Sequence, residues 1–231
     1  MKIKIALGLL LIGGIIFWIS SGNQDETSQQ GSGSSAMEMP QSQQEFDQIV
    51  ADRTPLIIGD EDAPFTMIEY ADFKCSACAA FHNQAGKDIR EQYVDSGEIN
   101  IEIRGLTFIG PDSERALRGG YCSNEQGIFT EYHDAVFDYT WDNYYSLNNY
   151  AYSQDFLTTD LLSTIASDHG ADESVFRECI ESSDMDQNLV ADMGLAEQDR
   201  VRGTPTFMIG DQSVSGPQPF SVFQQLIELQ I

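Results

Sequence analysis

Two cysteines separated by two residues, Cys75 and Cys78, stand where an apolar segment ends and a helical pattern begins. Residues 65–71, FTMIEYA, are apolar and rich in β-forming side chains, which is typical of a strand buried on both faces. Residues 76 to about 93 follow a helical periodicity. The sequence therefore predicts a strand–turn–helix unit with Cys75 at the helix N-terminus, where the helix dipole favours a thiolate.

The remaining segments predict a mixed α/β chain. Residues 46–51 are a candidate short helix, residues 99–104 alternate like a second strand, and residues 113 to about 199 are helical in character. A proline turn leads into a third strand, residues 212–215 are a candidate fourth strand, and residues 220–229 a closing helix. The order β-α-β, helical block, β-β-α predicts an α/β core with one large helical insertion.

The spacing of Cys75 and Cys78 suits a disulfide across one helical turn, and a thiolate is the attacking species in disulfide exchange. We expect Cys75 to be the nucleophile and Cys78, one turn deeper, to resolve the mixed disulfide. The alternatives are a purely structural disulfide and a zinc site that includes His82. Redox chemistry is favoured because there is no second CxxC, so we expect no metal and no cofactor beyond the cysteine pair.

The first 22 residues have the pattern of an export signal, and a buried core helix is the alternative. Two lysines precede an apolar run at residues 5–19, and small residues follow it, so residues 1–22 are either an uncleaved signal anchor or a cleaved signal peptide. Residues 23–45 are rich in Gly, Ser and Gln and predict a flexible linker. We therefore expect residues 46–231 to work outside the cytoplasmic membrane, where disulfides persist.

The charge of the chain restricts its partners. It carries 37 Asp and Glu against 12 Lys and Arg, for a net charge of −25. Such a surface repels nucleic acid and anionic lipid headgroups, so no nucleic-acid partner is expected.

Several motifs in order resemble the DsbA-type disulfide oxidoreductases, most closely their membrane-tethered BdbD-like branch. The likeness runs from about residue 57 to the C-terminus. Its motifs are Ile58-Gly-Asp-Glu-Asp-Ala-Pro64, Glu69-Tyr-Ala-Asp-Phe-Lys-Cys75-Ser-Ala-Cys78, Cys122-Ser-Asn-Glu-Gln-Gly127, Tyr132-His-Asp134, Gly203-Thr-Pro-Thr-Phe207 and Gly216-Pro-Gln-Pro219.

This resemblance implies a thioredoxin-like fold with a helical domain, about residues 113–199, inserted in the core. It implies a cis bond before Pro205, which the pattern alone leaves open against an ordinary trans turn. It also implies a peptide-binding groove at Thr204 and Pro205. The implied partners are reduced or unfolded exported proteins and a membrane redox partner that reoxidises the enzyme.

Glu69 lies six residues before Cys75 in an otherwise apolar strand. Burial there should raise its pKa and let it relay a proton to or from Cys78, and the family carries an acidic residue at this place. The alternative is a glutamate that reaches solvent or pairs with a base. Arg104 is one candidate partner, although a solvated arginine at a strand end is the simpler interpretation.

The two other cysteines, Cys122 and Cys179, are predicted to form a structural disulfide, because the count is even and the compartment oxidising. Two buried free thiols are the alternative. Nothing in the sequence places His82, His133 and His169 together, so surface or packing roles are expected for them. The aromatic residues at 137–145 predict packing within the helical domain, with a substrate-facing surface as the alternative.

The leading functional interpretation is an enzyme that introduces disulfides into exported proteins. Ser76 and Ala77 separate the cysteines where the best-known oxidants of the family often carry proline and histidine, so we expect a weaker oxidant. An exposed, salt-screened Lys74 and a Ser76 hydroxyl would compensate only partly. The alternatives are a disulfide reductase or isomerase, and a non-catalytic tethered binding or chaperone module.

Overall fold

The computed structural model describes residues 39–231. The predicted signal segment (1–22) and most of the predicted linker (23–45) lie outside that range. Within it, the first helix, α1 (Gln43–Asp52), begins inside the predicted linker, where the Ser42 hydroxyl accepts a hydrogen bond from the Glu45 amide. None of the helices in residues 39–231 is both long enough and apolar enough to cross a membrane.

Five strands form one mixed sheet in the order β1-β3-β2-β4-β5. The central strand, β2, is parallel to β3, and the other three neighbouring pairs are antiparallel. The bounds are β1 (Leu56–Ile58), β2 (Thr66–Ala71), β3 (Asn100–Gly105), β4 (Thr206–Ile209) and β5 (Gln212–Ser215). The two strand predictions around the CxxC motif are confirmed, and β1 is an additional edge strand that the sequence pattern does not predict.

The helix after β2 is longer than its first regular segment. α2 (Ser76–Phe81) continues through a π-helical segment (His82–Gly86), the short α3 (Lys87–Ile89) and a second π-helical segment (Arg90–Val94). The prediction of a helix from residue 76 to about 93 is therefore confirmed, with π-helical turns that periodicity does not show.

The helical insertion follows β3. It contains α4 (Pro111–Glu125), α5 (Phe129–Asn143), α6 (Thr159–Asp168), α7 (Glu173–Glu181) and α8 (Asp186–Gln198). α1 packs on α8, where a Cβ atom at Gly194 would lie 2.0 Å from the Phe46 ring, so that close approach requires glycine. The predicted helical block at about 113–199 is confirmed, with a 3₁₀ turn at Tyr145–Leu147.

The closing helix, α9 (Phe220–Ile227), covers the sheet beside the CxxC helix. Phe223 of α9 packs against Phe81 and Phe207, with ring centroids 5.2 Å and 4.8 Å away. All three rings are almost fully buried. The α2 segment is thus fixed on its inner face by apolar contacts with β4 and α9, while its other side faces the insertion.

A disulfide joins two helices of the insertion. Cys122 of α4 and Cys179 of α7 are bonded, with an S–S distance of 1.96 Å and a sequence separation of 57 residues. The bond reduces the number of conformations available to the unfolded chain, which is the main way a disulfide stabilises a fold.

Replacing Cys122 and Cys179 by alanine should lower the free energy of unfolding by about 4 kcal/mol, the chain-entropy value for a loop of this length. The measurement is urea unfolding without reductant, in a Cys75→Ala/Cys78→Ala background so that no other thiol exchanges. Equal unfolding free energies with and without the pair, or two free thiols in unreduced peptide maps, would contradict the structure.

Candidate active site

The turn between β2 and α2 is held by Asp72. Its carboxylate oxygen Oδ1 accepts from the Lys74 amide at 2.8 Å, and its backbone carbonyl accepts from the Cys75 amide at 2.9 Å. Asp72 is buried, so these bonds also satisfy polar groups that water does not reach. The turn delivers Cys75 in an extended conformation as the N-cap residue of α2.

Cys75 lies against the turn before β4. Its sulfur is 3.4 Å from the carbonyl oxygen of Thr204, and the Thr204–Pro205 peptide bond is cis. The Pro205 carbonyl accepts from the Gly216 amide at 2.8 Å. Among the described residues, the buried Thr204 hydroxyl has no hydrogen-bond partner. The structure thus brings together the CxxC pair with the Thr204-Pro205 turn that the sequence singled out.

The two thiols differ in their surroundings. Cys75 and Cys78 are both free thiols in this structure, Cys75 7% exposed and Cys78 fully buried. A hydrogen bond from the Cys78 side chain, aided by Thr204 and by the amides of Ala77 and Cys78, lowers the pKa of Cys75 to about 6 against the opposing effect of burial. Burial raises the pKa of Cys78 well above its usual value. Cys75 is therefore the thiolate at neutral pH and Cys78 the proton carrier.

Glu69 lies on β2, opposite Phe207 of β4. It is 4% exposed, and burial followed by the charge of Cys75 raises its pKa to about 8. The charge of Glu69 in turn raises the pKa of Cys78. The carboxyl group is therefore protonated at neutral pH and electrostatically coupled to both cysteines.

Arg104 is not the partner of Glu69. Within the described residues, its guanidinium group bonds to Glu102 at 2.9 Å and to the Tyr70 hydroxyl at 2.9 Å, and it pairs with Asp199 at 3.4 Å. The alternative of a solvated strand-end arginine is also wrong, since the side chain is 13% exposed. Arg104 therefore belongs to an ion-pair network that does not include the thiols.

Lys74 is buried, so the prediction of an exposed, salt-screened side chain is wrong. Its ammonium group is 2.6 Å from Asp112 of α4 and 2.6 Å from the carbonyl oxygen of Gln154. Asp112 is itself fully buried and also accepts from the Phe156 amide at 3.1 Å. The ammonium group of Lys74 therefore joins the active-site turn to the insertion.

Tyrosines of the insertion cover the turn, a position that the sequence does not predict for them. The Tyr152 hydroxyl bonds to the Ser76 hydroxyl, so Ser76 has a partner other than the thiolate we expected it to assist. The buried Tyr145 donates to the carbonyl oxygen of Lys74. Tyr150 is exposed, with its ring 6.2 Å from those of Tyr145 and Tyr152. The only sequence signal was a group of tyrosines in a polar stretch.

Two of the histidines meet, which the sequence did not indicate. The rings of His82 and His133 are 5.2 Å apart, and His133 bonds to Asp134 at 3.0 Å. His169 stands elsewhere, exposed at the end of α6. Phe137 and Tyr145 of the aromatic segment are buried, so the packing prediction is confirmed for these two residues.

Comparisons with known proteins agree with this geometry. A family model described as thioredoxin matches residues 51–229. The probable disulfide bond formation protein D of Bacillus cereus is 26% identical over 154 residues, 66% of this chain and 68% of the relative. The Bacillus subtilis disulfide bond formation protein D is 21% identical over 178 residues, 76% of each chain.

The fold has solved counterparts. The crystal structure of oxidised BdbD from Bacillus subtilis superposes with a TM-score of 0.66 at 20% identity, covering 76% of this chain and 92% of that one. The crystal structure of alpha-DsbA1 from Wolbachia pipientis gives a TM-score of 0.63 at 24% identity, covering 77% and 90%. The thioredoxin-like fold with a helical insertion is therefore confirmed.

The thiolate absorbance of Cys75 should rise with a midpoint near pH 6 in the reduced protein. Because the Cys78 hydrogen bond is the largest cause of the low pKa, Cys78→Ala should move the midpoint upwards, towards the free-thiol value of about 8.5. Cys75→Ser is the control that removes the transition. A midpoint unchanged by Cys78→Ala would show that another group holds the thiolate.

Proposed function

Since the chain belongs to the thioredoxin family and is a DsbA-like thiol–disulfide oxidoreductase, we propose that it acts as an oxidant of reduced exported proteins. The observation that carries the proposal is the asymmetry of the thiols: a pKa of about 6 for Cys75 and a buried Cys78 beside Glu69. A stabilised Cys75 thiolate favours the reduced enzyme, and an enzyme that favours its reduced form oxidises its partners.

The first step begins from a Cys75–Cys78 disulfide. A substrate thiolate attacks the sulfur of Cys75, the less buried of the two cysteines, a substrate–Cys75 disulfide forms, and the Cys75–Cys78 bond breaks. Cys78 leaves as a thiolate in a pocket where burial strongly disfavours charge. Glu69 is protonated below pH 8 and supplies a proton to Cys78, whose pKa is the higher of the two.

The second step releases the substrate. A second substrate thiolate attacks the substrate sulfur of the mixed disulfide, the substrate disulfide forms, and Cys75 leaves as a thiolate stabilised by the Cys78 thiol. Two electrons have passed from the substrate to the enzyme. A membrane redox partner, acting as a disulfide donor, would then take these electrons and restore the Cys75–Cys78 bond.

The substrate segment binds beside Thr204 and Pro205. The Thr204 carbonyl faces the Cys75 sulfur at 3.4 Å, and a thiolate or a mixed disulfide has no proton to donate to it. This carbonyl is then free to bond to a substrate backbone next to the reacting sulfur. Backbone contacts of this kind suit a catalyst that accepts many unfolded sequences.

The export pattern of residues 1–22 supports a location outside the cytoplasmic membrane, with the segment either retained as an anchor or cleaved. A structural disulfide between Cys122 and Cys179 suits an oxidising compartment. The reductase or isomerase alternative and the non-catalytic binding module have no comparable support in the site.

An equilibrium with glutathione should give Cys75–Cys78 a potential between about −270 mV, as in thioredoxin, and about −120 mV, as in the strongest oxidant of the family. No side chain between the cysteines adds a cation, and the ammonium group of Lys74 is paired with Asp112. Ala77→His should therefore make the enzyme more oxidising, with Ala77→Gln as the uncharged control.

A potential as low as that of thioredoxin, with no rise in Ala77→His, would favour the reductase alternative. Failure to exchange with any dithiol would favour the non-catalytic module.

Glu69→Gln should slow reduction of the Cys75–Cys78 disulfide by a substrate dithiol by roughly 10²-fold at pH 7, because the amide cannot protonate Cys78. Stopped-flow fluorescence measures the rate. As pH rises through about 8, Glu69 loses its proton and the gap to the variant should close. Glu98→Gln, the same substitution at an exposed glutamate two residues before β3, is the control. A gap that persists above pH 9 would assign Glu69 a structural role.

A further inference from the structure

A group of possible metal ligands lies where the CxxC helix meets the insertion. His82 belongs to the π-helical segment after α2, four residues beyond Cys78, and His133 and Asp134 are neighbours on α5. One nitrogen from each histidine and one oxygen from Asp134 lie within 4.8 Å of one another. The redox mechanism uses none of these three side chains.

The two imidazoles are buried and lack a full set of partners. His82 is 7% exposed and His133 3% exposed, and they pack among the rings of Phe73, Phe129 and Phe137. His133 uses one ring nitrogen to bond to Asp134, while its Nε2 atom has no hydrogen-bond partner among residues 39–231. A buried ring nitrogen without a partner costs free energy that a ligand would recover.

We propose that His82, His133 and Asp134 bind a divalent transition-metal ion of the zinc class. Two imidazole nitrogens and one carboxylate oxygen are the donor set that zinc shares with related first-row ions, with water or a further side chain in the fourth position. The hard cations Ca²⁺ and Mg²⁺ are disfavoured because they require oxygen ligands.

Two cationic side chains and a second carboxylate surround the proposed metal site. Arg90 pairs with Asp134, and Lys87 lies 3.9 Å from Asp138. Arg90 is 22% exposed and can turn towards solvent when a metal takes over the carboxylate. Asp138 is 3.8 Å from the Nε2 atom of His82 and is the nearest candidate for the fourth position. The two carboxylates balance the two cations, so the site presents no net charge that repels a metal ion.

A bound ion would join the CxxC helix to the insertion. His82 follows Cys78 by one helical turn. On the other side of the site, Tyr132 and Phe137 of α5 pack against Phe73 of the active-site turn. Because the ion binds only the folded arrangement, it should raise the melting temperature in a concentration-dependent way.

The test uses the oxidised full-length protein, so that the Cys75–Cys78 disulfide removes thiolates that would bind the same ions. Zn²⁺ titration calorimetry and Co²⁺ visible absorption are measured after chelation, in about 1 M NaCl, where screening weakens binding to scattered surface carboxylates. One equivalent of Zn²⁺ should bind, Co²⁺ should give the intense bands of a four-coordinate site, and Zn²⁺ should raise the melting temperature.

His82→Gln and Asp134→Asn should each weaken Zn²⁺ binding at least tenfold and abolish the Co²⁺ bands, while His169→Gln, at an exposed histidine, should leave both unchanged. The melting temperatures without metal show whether each variant is folded, and Asp134→Asn keeps the proposal testable if His82→Gln is unstable. Wild-type binding no tighter than that of Asp134→Asn, or only weak six-coordinate Co²⁺ spectra in all four proteins, would overturn the proposal.

Discussion

The buried ion pair between Lys74 and Asp112 is the contact on which the active-site geometry depends. A lysine ammonium next to the nucleophile has no access to water there, and only a carboxylate with further hydrogen bonds can compensate its desolvation. Asp112 meets this need from α4 while it also binds the Phe156 amide. The turn before Cys75, the start of the insertion and the loop that carries Tyr152 are therefore fixed by one pair of charges.

Burial, rather than a neighbouring cation, separates the roles of the two thiols. Cys75 stands at the helix N-terminus, where amides and the Cys78 thiol stabilise its negative charge. Cys78 and Glu69 lie deeper, and the same lack of solvent raises the pKa of both. An arrangement of this kind gives a nucleophile with a low pKa and a more deeply buried proton donor without the histidine found between the cysteines of stronger oxidants.

The helical insertion does more than cover the sheet. It supplies the partner of Lys74, the tyrosines over Ser76, and the histidine and carboxylate that meet His82. The Cys122–Cys179 disulfide joins two of its helices, α4 and α7. The contacts of the insertion with the CxxC segment therefore come from a covalently cross-linked unit. The cysteines lie on a short strand–turn–helix segment, and these contacts show that the helical insertion is needed to keep that segment in position.

The sequence by itself determined the local features of this protein. The apolar strand before Cys75, the helix after it, the order of the elements and the candidates Glu69, Thr204 and Pro205 all follow from residue type, periodicity and motifs over short distances. Only the tertiary structure decided that Lys74 is buried, that Arg104 binds Glu102 and Tyr70, and that His82 meets His133. The reason is physical: periodicity reports which face of an element is apolar, whereas the partner of a buried charge comes from an element distant in sequence and is set by how the two elements pack.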